Sequence, residues 1–346
     1  MNLIKTILGS FLLMVFGGQF LTAQQNQTEI KPAQKWLDNN GKNINAHGGG
    51  VIFHEGVYYW YGEHKLKGKS EAQFADGGIH CYSSTDLTNW KDEGLVLSVD
   101  YKDEKHDLAY GCILERPKVV YNTKNKEFVA YFKLYLKGVG YESNYVGVAV
   151  ANKPSGPFVY HHKFRGGGSP KGSGDFSMFK DDDNTLYHLA VRKPDKAFVI
   201  GKMDTDYYFP EGDYQVCTGV KLHTEAPAII KRNGVYHMLG SGSKGWNPNP
   251  ARYHTTKNIL GTWTFHGNPC YGFNPVDGLG IDKTFGGQAS YIIPVQGKKD
   301  AYIAMFDIWK PKTPITGRYI WLPIVFSEGK MAISWLDHWK TAVFDK

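Results

Sequence analysis

Glu55-Gly56-Val57-Tyr58-Tyr59-Trp60-Tyr61 reads as a tight turn feeding an aromatic strand, and the same unit returns four more times. The copies are Asn125-Lys126-Glu127-Phe128-Val129-Ala130-Tyr131, Asp183-Asn184-Thr185-Leu186-Tyr187-His188, Arg232-Asn233-Gly234-Val235-Tyr236-His237 and Lys299-Asp300-Ala301-Tyr302-Ile303. Counted between the aromatics at 58, 128, 187, 236 and 302, they lie 49 to 70 residues apart. A second unit follows most of them, in Ser83 to Trp90, Ala151 to Phe158 and Thr255 to Trp263, with a weaker version in Asp204 to Pro210. Each is a turn that delivers an aromatic into an outer strand. Hairpin-built repeats of this size indicate four-stranded blades arranged radially. The expected fold is therefore all-β, a five-bladed β-propeller, with a β-sandwich of accidentally similar turns as the alternative.

Composition agrees with that reading. The chain has 346 residues, 42% hydrophobic and 21% charged, which excludes a disordered chain and a coiled coil. Its 40 Gly, 9 Trp, 22 Tyr and 19 Phe suit short strands, tight turns and rings that stack on sugars. No linker or composition shift marks a second domain, so residues 36–346 read as one propeller behind a polar leader, 24–35.

Residues 1–23 read as a secretory signal peptide. Lys5 supplies the positive start, Ile7 to Phe20 the apolar run, and Leu21-Thr22-Ala23 the small-residue cleavage site. A buried N-terminal helix is the alternative. The run is short and interrupted by glycine, and no Cys follows it, so neither a membrane span nor a lipid anchor is indicated. Export to the periplasm or the extracellular space is the expectation. The net charge of +7 comes from scattered lysines, so a nucleic-acid footprint is not indicated, and solubility or an acidic polysaccharide stays open. Cys81, Cys112, Cys217 and Cys270 are 31, 105 and 53 residues apart, without metal or redox spacing. One or two bridges and buried free thiols are both open.

In a propeller the innermost strands converge on one axis, so polar residues at their ends meet despite large sequence separations. An acid set against an apolar strand is costly unless paired or protonated. Glu115 in Cys112 to Val120, Asp175 in Gly174 to Phe179 and Glu225 in His223 to Ile230 qualify. His47 before Gly48-Gly49-Gly50 and Gln288 in Thr284 to Tyr291 supply two polar counterparts. Each precedes one of the turn-strand units by a similar distance, as one radial position on successive blades would. A strand-end ion pair is the plainer reading of any single acid. Gly62 through Gly68-Lys69-Ser70 has the wrong glycine spacing for a phosphate loop. Asp181-Asp182-Asp183-Asn184 reads as a hairpin turn, so a structural calcium ion is not indicated and no cofactor is expected.

From His47 to Trp339 the chain resembles glycoside hydrolase family 43, and within it the branch of exo-β-1,3-galactanases and their relatives. The residues carrying the likeness include Asn45 to Gly50, Tyr58 to Glu63, Glu115-Arg116-Pro117-Lys118 and Asp175. Glu225-Ala226-Pro227, Gly245 to Asn249, Phe285 to Gln288, Asp307 to Pro311 and Arg318 to Pro323 complete it. The resemblance implies a five-bladed inverting glycosidase. Glu225 would be the general acid, and Asp175 the acid that tunes and orients it. Gln288 would hold the water, acting through an imidic tautomer or by positioning alone, and Glu115 would contact sugar hydroxyls. The family's usual base is an Asp in the first blade, where this chain has His47, a loss the galactanase branch shares. Gly174 stands where relatives often carry Arg, and Lys133 to Tyr135 where they are often more polar.

Trp60, Trp246, Trp309 and Trp321 are the candidate sugar platform. His47 and Glu63 join the expected substrate-binding set. Arg116 and Arg318 are expected either to bind hydroxyls or to hold Glu115 and Asp307. The resulting expectation is an exported exo-acting hydrolase that acts on an oligo- or polysaccharide, releasing terminal galactose from β-1,3-galactan or arabinogalactan side chains. An α-L-arabinofuranosidase or β-galactofuranosidase, and a non-catalytic carbohydrate-binding propeller, are the alternatives.

Overall fold

A computed structural model describes residues 26–345. The expected signal peptide and the first two leader residues lie outside them. Four four-stranded antiparallel sheets and a fifth, five-stranded one make the blades. Their innermost strands are His47–His54, Ile113–Asn122, Ser173–Lys180, Thr224–Arg232 and Gln288–Pro294. These pack neighbour to neighbour around the axis and close the ring between the first and the fifth.

All five turn-strand repeats are the hairpin joining an innermost strand to the second strand of its blade. Glu55-Gly56 and Asn233-Gly234 have both residues in the left-handed region, the two-residue turn whose twist matches paired strands. The second repeat is equally consistent. Trp90, Phe158 and Trp263 each stand immediately before the outermost strand of their blade, at Lys91–Ser98, Val159–Phe164 and Thr264–Gly267.

The core is divided into five clusters, one between each pair of adjacent blades. Alternate residues of one strand serve two neighbours, because side chains point to opposite faces of a sheet. In the second blade Phe128, Ala130 and Phe132 pack toward the first, while Val129 and Tyr131 pack toward the third. Both faces are buried, which is why these strands read as continuous apolar runs rather than alternating ones.

The last strands come from the C-terminal end of the chain, with Cys270–Tyr271 added in parallel outside them. The leader is part of this closure: Ile30 exchanges backbone hydrogen bonds with Trp339, and the Ala33 N–H donates to the Tyr319 carbonyl. Tyr319 ties the seam again, its hydroxyl donating to the Ile44 carbonyl and accepting from the Ala46 N–H. All four cysteines are buried free thiols.

Two expected platform rings belong to this seam instead of to a sugar site. Trp60 and Trp321 are both 0% exposed and pack with Trp36, Trp90 and Tyr319 between the first and fifth blades. Trp60→Phe should therefore cost about 2 kcal/mol through the void it leaves, with no change in KM. Thermal denaturation together with initial rates checks this, and a raised KM would return Trp60 to the substrate.

Candidate active site

The polar residues singled out in the sequence stand within the first three positions of the innermost strands, so all five lie toward one end of the axis, where Glu115, Asp175, Glu225 and Gln288 line one cavity. A local device aims three of them. The residue after His47, Glu115 and Glu225 is left-handed in each case: Gly48 at φ 62°, Arg116 at 52° and Ala226 at 55°. The strand register shifts at each of these places, so each is a bulge that turns the preceding side chain out of the pleat. Two non-glycine residues held there carry local strain, which the surrounding network must offset.

Arg116 organises that network. Its Nε lies 3.0 Å from Asp175 Oδ1, one Nη donates to Gln288 Oε1 at 2.6 Å, and its backbone N–H donates to Glu63 Oε1 at 2.8 Å. Gln288 continues it, donating from Nε2 to Ser241 Oγ at 2.9 Å and to Glu225 Oε1 at 3.2 Å. Trp309 Nε1 fills the second lone pair of Gln288 Oε1 at 2.9 Å. Ser243 Oγ donates to the other oxygen of Glu225 at 2.5 Å. Glu225 and Asp175 are thus joined through Arg116 and Gln288 at one cavity of about 420 Å³, within the size range of small-ligand sites.

Burial raises two of the carboxylates. Burial, then the charge of Asp175, raises Glu225 to about 7, so it holds a proton through much of the neutral range. Glu115 is raised to about 8, by burial first and then by Glu63, and it accepts a hydrogen bond from Tyr141 at 2.9 Å. Arg116 works the other way on Glu225, favouring its ionised form.

Gln288 is built to orient and not to take a proton. Both lone pairs of its Oε1 face N–H donors, so an imidic tautomer, which needs a proton on that oxygen, would first have to displace Arg116 or Trp309. Its longest bond, to Glu225, is the one most readily exchanged for a water.

Several expected ligands have other duties. His47 is 1% exposed and stacks on Tyr319, with Nδ1 3.9 Å from Asp307, below the cavity and not in its lining. Burial, then Lys65, holds His47 down to about 3, so it is neutral. Glu63 lies at the cavity floor, but both its oxygens are engaged, one by Arg116 and one by Lys65 at 2.8 Å. A side chain at position 48 would stand 2.4 Å from Glu63 Oε1, so that glycine keeps room for this strut. Arg116 holds Asp175 and Gln288 where Glu115 was the expected partner. Arg318 is bound to Asp277 at 2.5 Å and to the Ala33 carbonyl at 2.7 Å, away from both Asp307 and the cavity.

Trp246 and Trp309 do line the cavity, edge to face at 5.7 Å, with Trp246 38% exposed. Asn249 shapes the loop that carries Trp246 and Ser243, clipping to Gly242 by accepting its N–H at 2.6 Å and donating to its carbonyl at 3.0 Å. Ser241, Ser243 and Tyr141 carried no signal in the sequence, because a hydroxyl gains a role only from the partner folding brings to it. The acidic run at 181–183 is a hairpin turn, with Asp181 and Asp182 on Lys231 and Asp183 on the Thr185 N–H.

The sequence model of the glycosyl hydrolases family 43 matches residues 50–275. A family 43 β-1,3-galactosidase solved with galactodeoxynojirimycin is 38% identical, over 90% of this chain and 100% of that one, with a TM-score of 0.81. This chain belongs to glycoside hydrolase family 43. Among its relatives, an exo-β-1,3-galactanase from Phanerochaete chrysosporium solved with β-1,3-galactotriose is 31% identical, over 91% of this chain and 68% of that one, at a TM-score of 0.78. An exo-β-1,3-galactanase from Clostridium thermocellum is 30% identical over 90% and 66%, at 0.77. The search of curated proteins gave no match. As a family 43 member the chain is a glycosidase on a five-bladed propeller.

Proposed function

We propose that this family 43 chain is an exported, inverting exo-β-1,3-galactanase that releases galactose from the ends of β-1,3-galactan chains. The observation that carries it is Glu225, a carboxyl raised to about 7 and held in one cavity with Asp175 and Gln288. A group that keeps its proton near neutral pH while touching a water-orienting amide is suited to protonate a glycosidic oxygen. The cavity has walls from all five blades, and the exo-acting galactanases among the relatives support entry of a chain end. The galactanase and galactosidase names of the relatives supply the sugar and the linkage.

Glu225 donates the proton to the departing oxygen. Asp175, fixed by Arg116, keeps Glu225 protonated through its negative charge and presents acceptors to sugar hydroxyls. Gln288 orients the attacking water, Glu115 and Tyr141 take hydroxyls, and Trp246 and Trp309 carry the apolar sugar face. As the new bond from water to the anomeric carbon forms and the glycosidic C–O bond breaks, the proton lost by that water passes to solvent in the open cavity. Glu225 regains a proton from solvent after the product leaves, and no cofactor enters the reaction.

Incubation with β-1,3-galactotriose, followed by NMR, should show galactose appearing first as the α anomer. First appearance of the β anomer, or release from the chain interior, would sink the proposal. Sequencing of the secreted protein should begin at Gln24.

The raised carboxyl also sets a pH limb. Activity needs Glu225 protonated, so kcat/KM on galactan is full below about pH 7 and falls about tenfold per unit above it. A dinitrophenyl galactoside, whose leaving group needs no proton, should lack that limb. An identical limb on both substrates would assign it to another group.

A further inference from the structure

The third blade places two lysines at the mouth of the same cavity. Lys193 and Lys196 line it together with Glu115, Asp175 and Glu225, and neither ammonium has a hydrogen-bond or ion-pair partner among the described residues. Lys193 is half-buried and Lys196 exposed. The one other cation in the lining, Arg116, is already committed to Asp175 and Gln288. These two are the uncommitted charges of the pocket.

Their loop is ordered to present them. The Lys193 N–H donates to the Gly172 carbonyl at 3.0 Å, Ser169 Oγ to the Lys193 carbonyl at 2.6 Å, and the Lys196 N–H to the Arg192 carbonyl at 2.9 Å. The loop's single acid, Asp195, is taken by Arg192 in a forked contact, with an Nη at 2.6 Å and Nε at 3.1 and 3.2 Å. That pairing takes up the loop's own carboxylate, and Asp175 in the cavity is held by Arg116, so neither is ion-paired to the lysines. The absence of a side chain at Gly174 does the rest: a Cβ there would stand 3.4 Å from Lys193 Cε, so the lysine stem lies across the glycine, beside Asp175.

Two unpaired ammonium groups at the mouth of a sugar pocket are positioned for a negative charge that arrives with the substrate. We infer that Lys193 and Lys196 form a recognition edge for an anionic substituent on the galactan, either the carboxylate of a uronic acid branch or a sulfate ester. This rests on the galactanase reading and narrows its substrate class. The chain's net charge of +7 would draw such a polymer to the protein in the first place.

The test uses matched β-1,3-galactan oligosaccharides, one neutral, one bearing a uronic acid branch and one sulfated. kcat/KM is compared for the wild type, Lys193→Met with Lys196→Met, and Lys193→Arg with Lys196→Arg. The wild type should favour one or both anionic oligosaccharides about three- to tenfold at ~20 mM salt and lose most of that preference at ~200 mM. The Met pair should abolish the preference and the Arg pair keep it. Which anion is favoured identifies the substituent. Equal treatment of all three by the wild type, or a preference that survives in the Met pair, overturns the inference. Affinities of Glu225→Gln protein for the same oligosaccharides, with and without the Met pair, decide it without hydrolysis. A failure of the galactanase reading, seen as no turnover of any of them, is therefore distinguishable.

Discussion

Glu225→Gln should lower kcat on β-1,3-galactan about a thousandfold, in the range expected for loss of a general acid, while leaving the fold intact. The amide keeps the shape and the hydrogen bonds from Ser243 and Gln288 in altered form, but it has no proton of suitable acidity. The loss should nearly vanish on a dinitrophenyl galactoside, whose leaving group departs unassisted. That contrast separates a proton donor from a residue that merely binds. An equal loss on both substrates would remove Glu225 from its role, and undiminished kcat on galactan would do so outright. A carbohydrate-binding propeller without catalysis would show unchanged affinity and no hydrolysis to lose.

The second large effect is expected at Arg116. Arg116→Met strips the partner from Asp175 and one donor from Gln288 Oε1, and it leaves a carboxylate in a site where Arg116 itself is only 7% exposed at the side chain and Asp175 19%. Breaking a fully buried pair costs about 3–5 kcal/mol. Because Asp175 keeps some contact with water, about 3 kcal/mol is expected, read as a fall in unfolding free energy. The catalytic loss should be about a hundredfold or more, since both Asp175 and Gln288 lose their aim. Arg116→Lys restores charge but cannot span Asp175 and Gln288 with one ammonium, so stability should recover further than kcat.

A third readout belongs to the same variant. Arg116 favours the ionised form of Glu225, so its removal should move the basic limb of the pH profile upward from about 7. A limb that stays in place would mean the two groups are not electrostatically coupled.

The sequence carried the candidate acids because their positions recur in phase with the hairpin repeat. Glu115, Asp175, Glu225 and Gln288 need only the blade count and strand order to be brought together. It misled for side chains whose role depends on which face they take. Trp60 and Trp309 both follow apolar-aromatic runs, yet Trp60 is inside a strand, buried against the seam, while Trp309 is one residue past a strand end and reaches the cavity. Trp246, four residues past its strand, follows the same rule. Position relative to the strand end was the signal that distinguished them.

Arg318 and His47 show the other gap. Each sits at a strand start near the site in sequence terms, but Arg318 is claimed by Asp277 and Ala33, and His47 by the stack on Tyr319. Those partners are 41, 285 and 272 residues away along the chain, a choice no local pattern records.

Repeat spacing and turn chemistry, both short-range properties, were enough by themselves to specify an all-β ring of blades and to place its acids at one end. What tertiary structure alone decided was the state and duty of each group there: which carboxyl keeps its proton, which arginine binds which acid, which tryptophans meet sugar. Those outcomes depend on desolvation and on hydrogen-bond partners contributed by other blades, and neither quantity exists until the blades are packed.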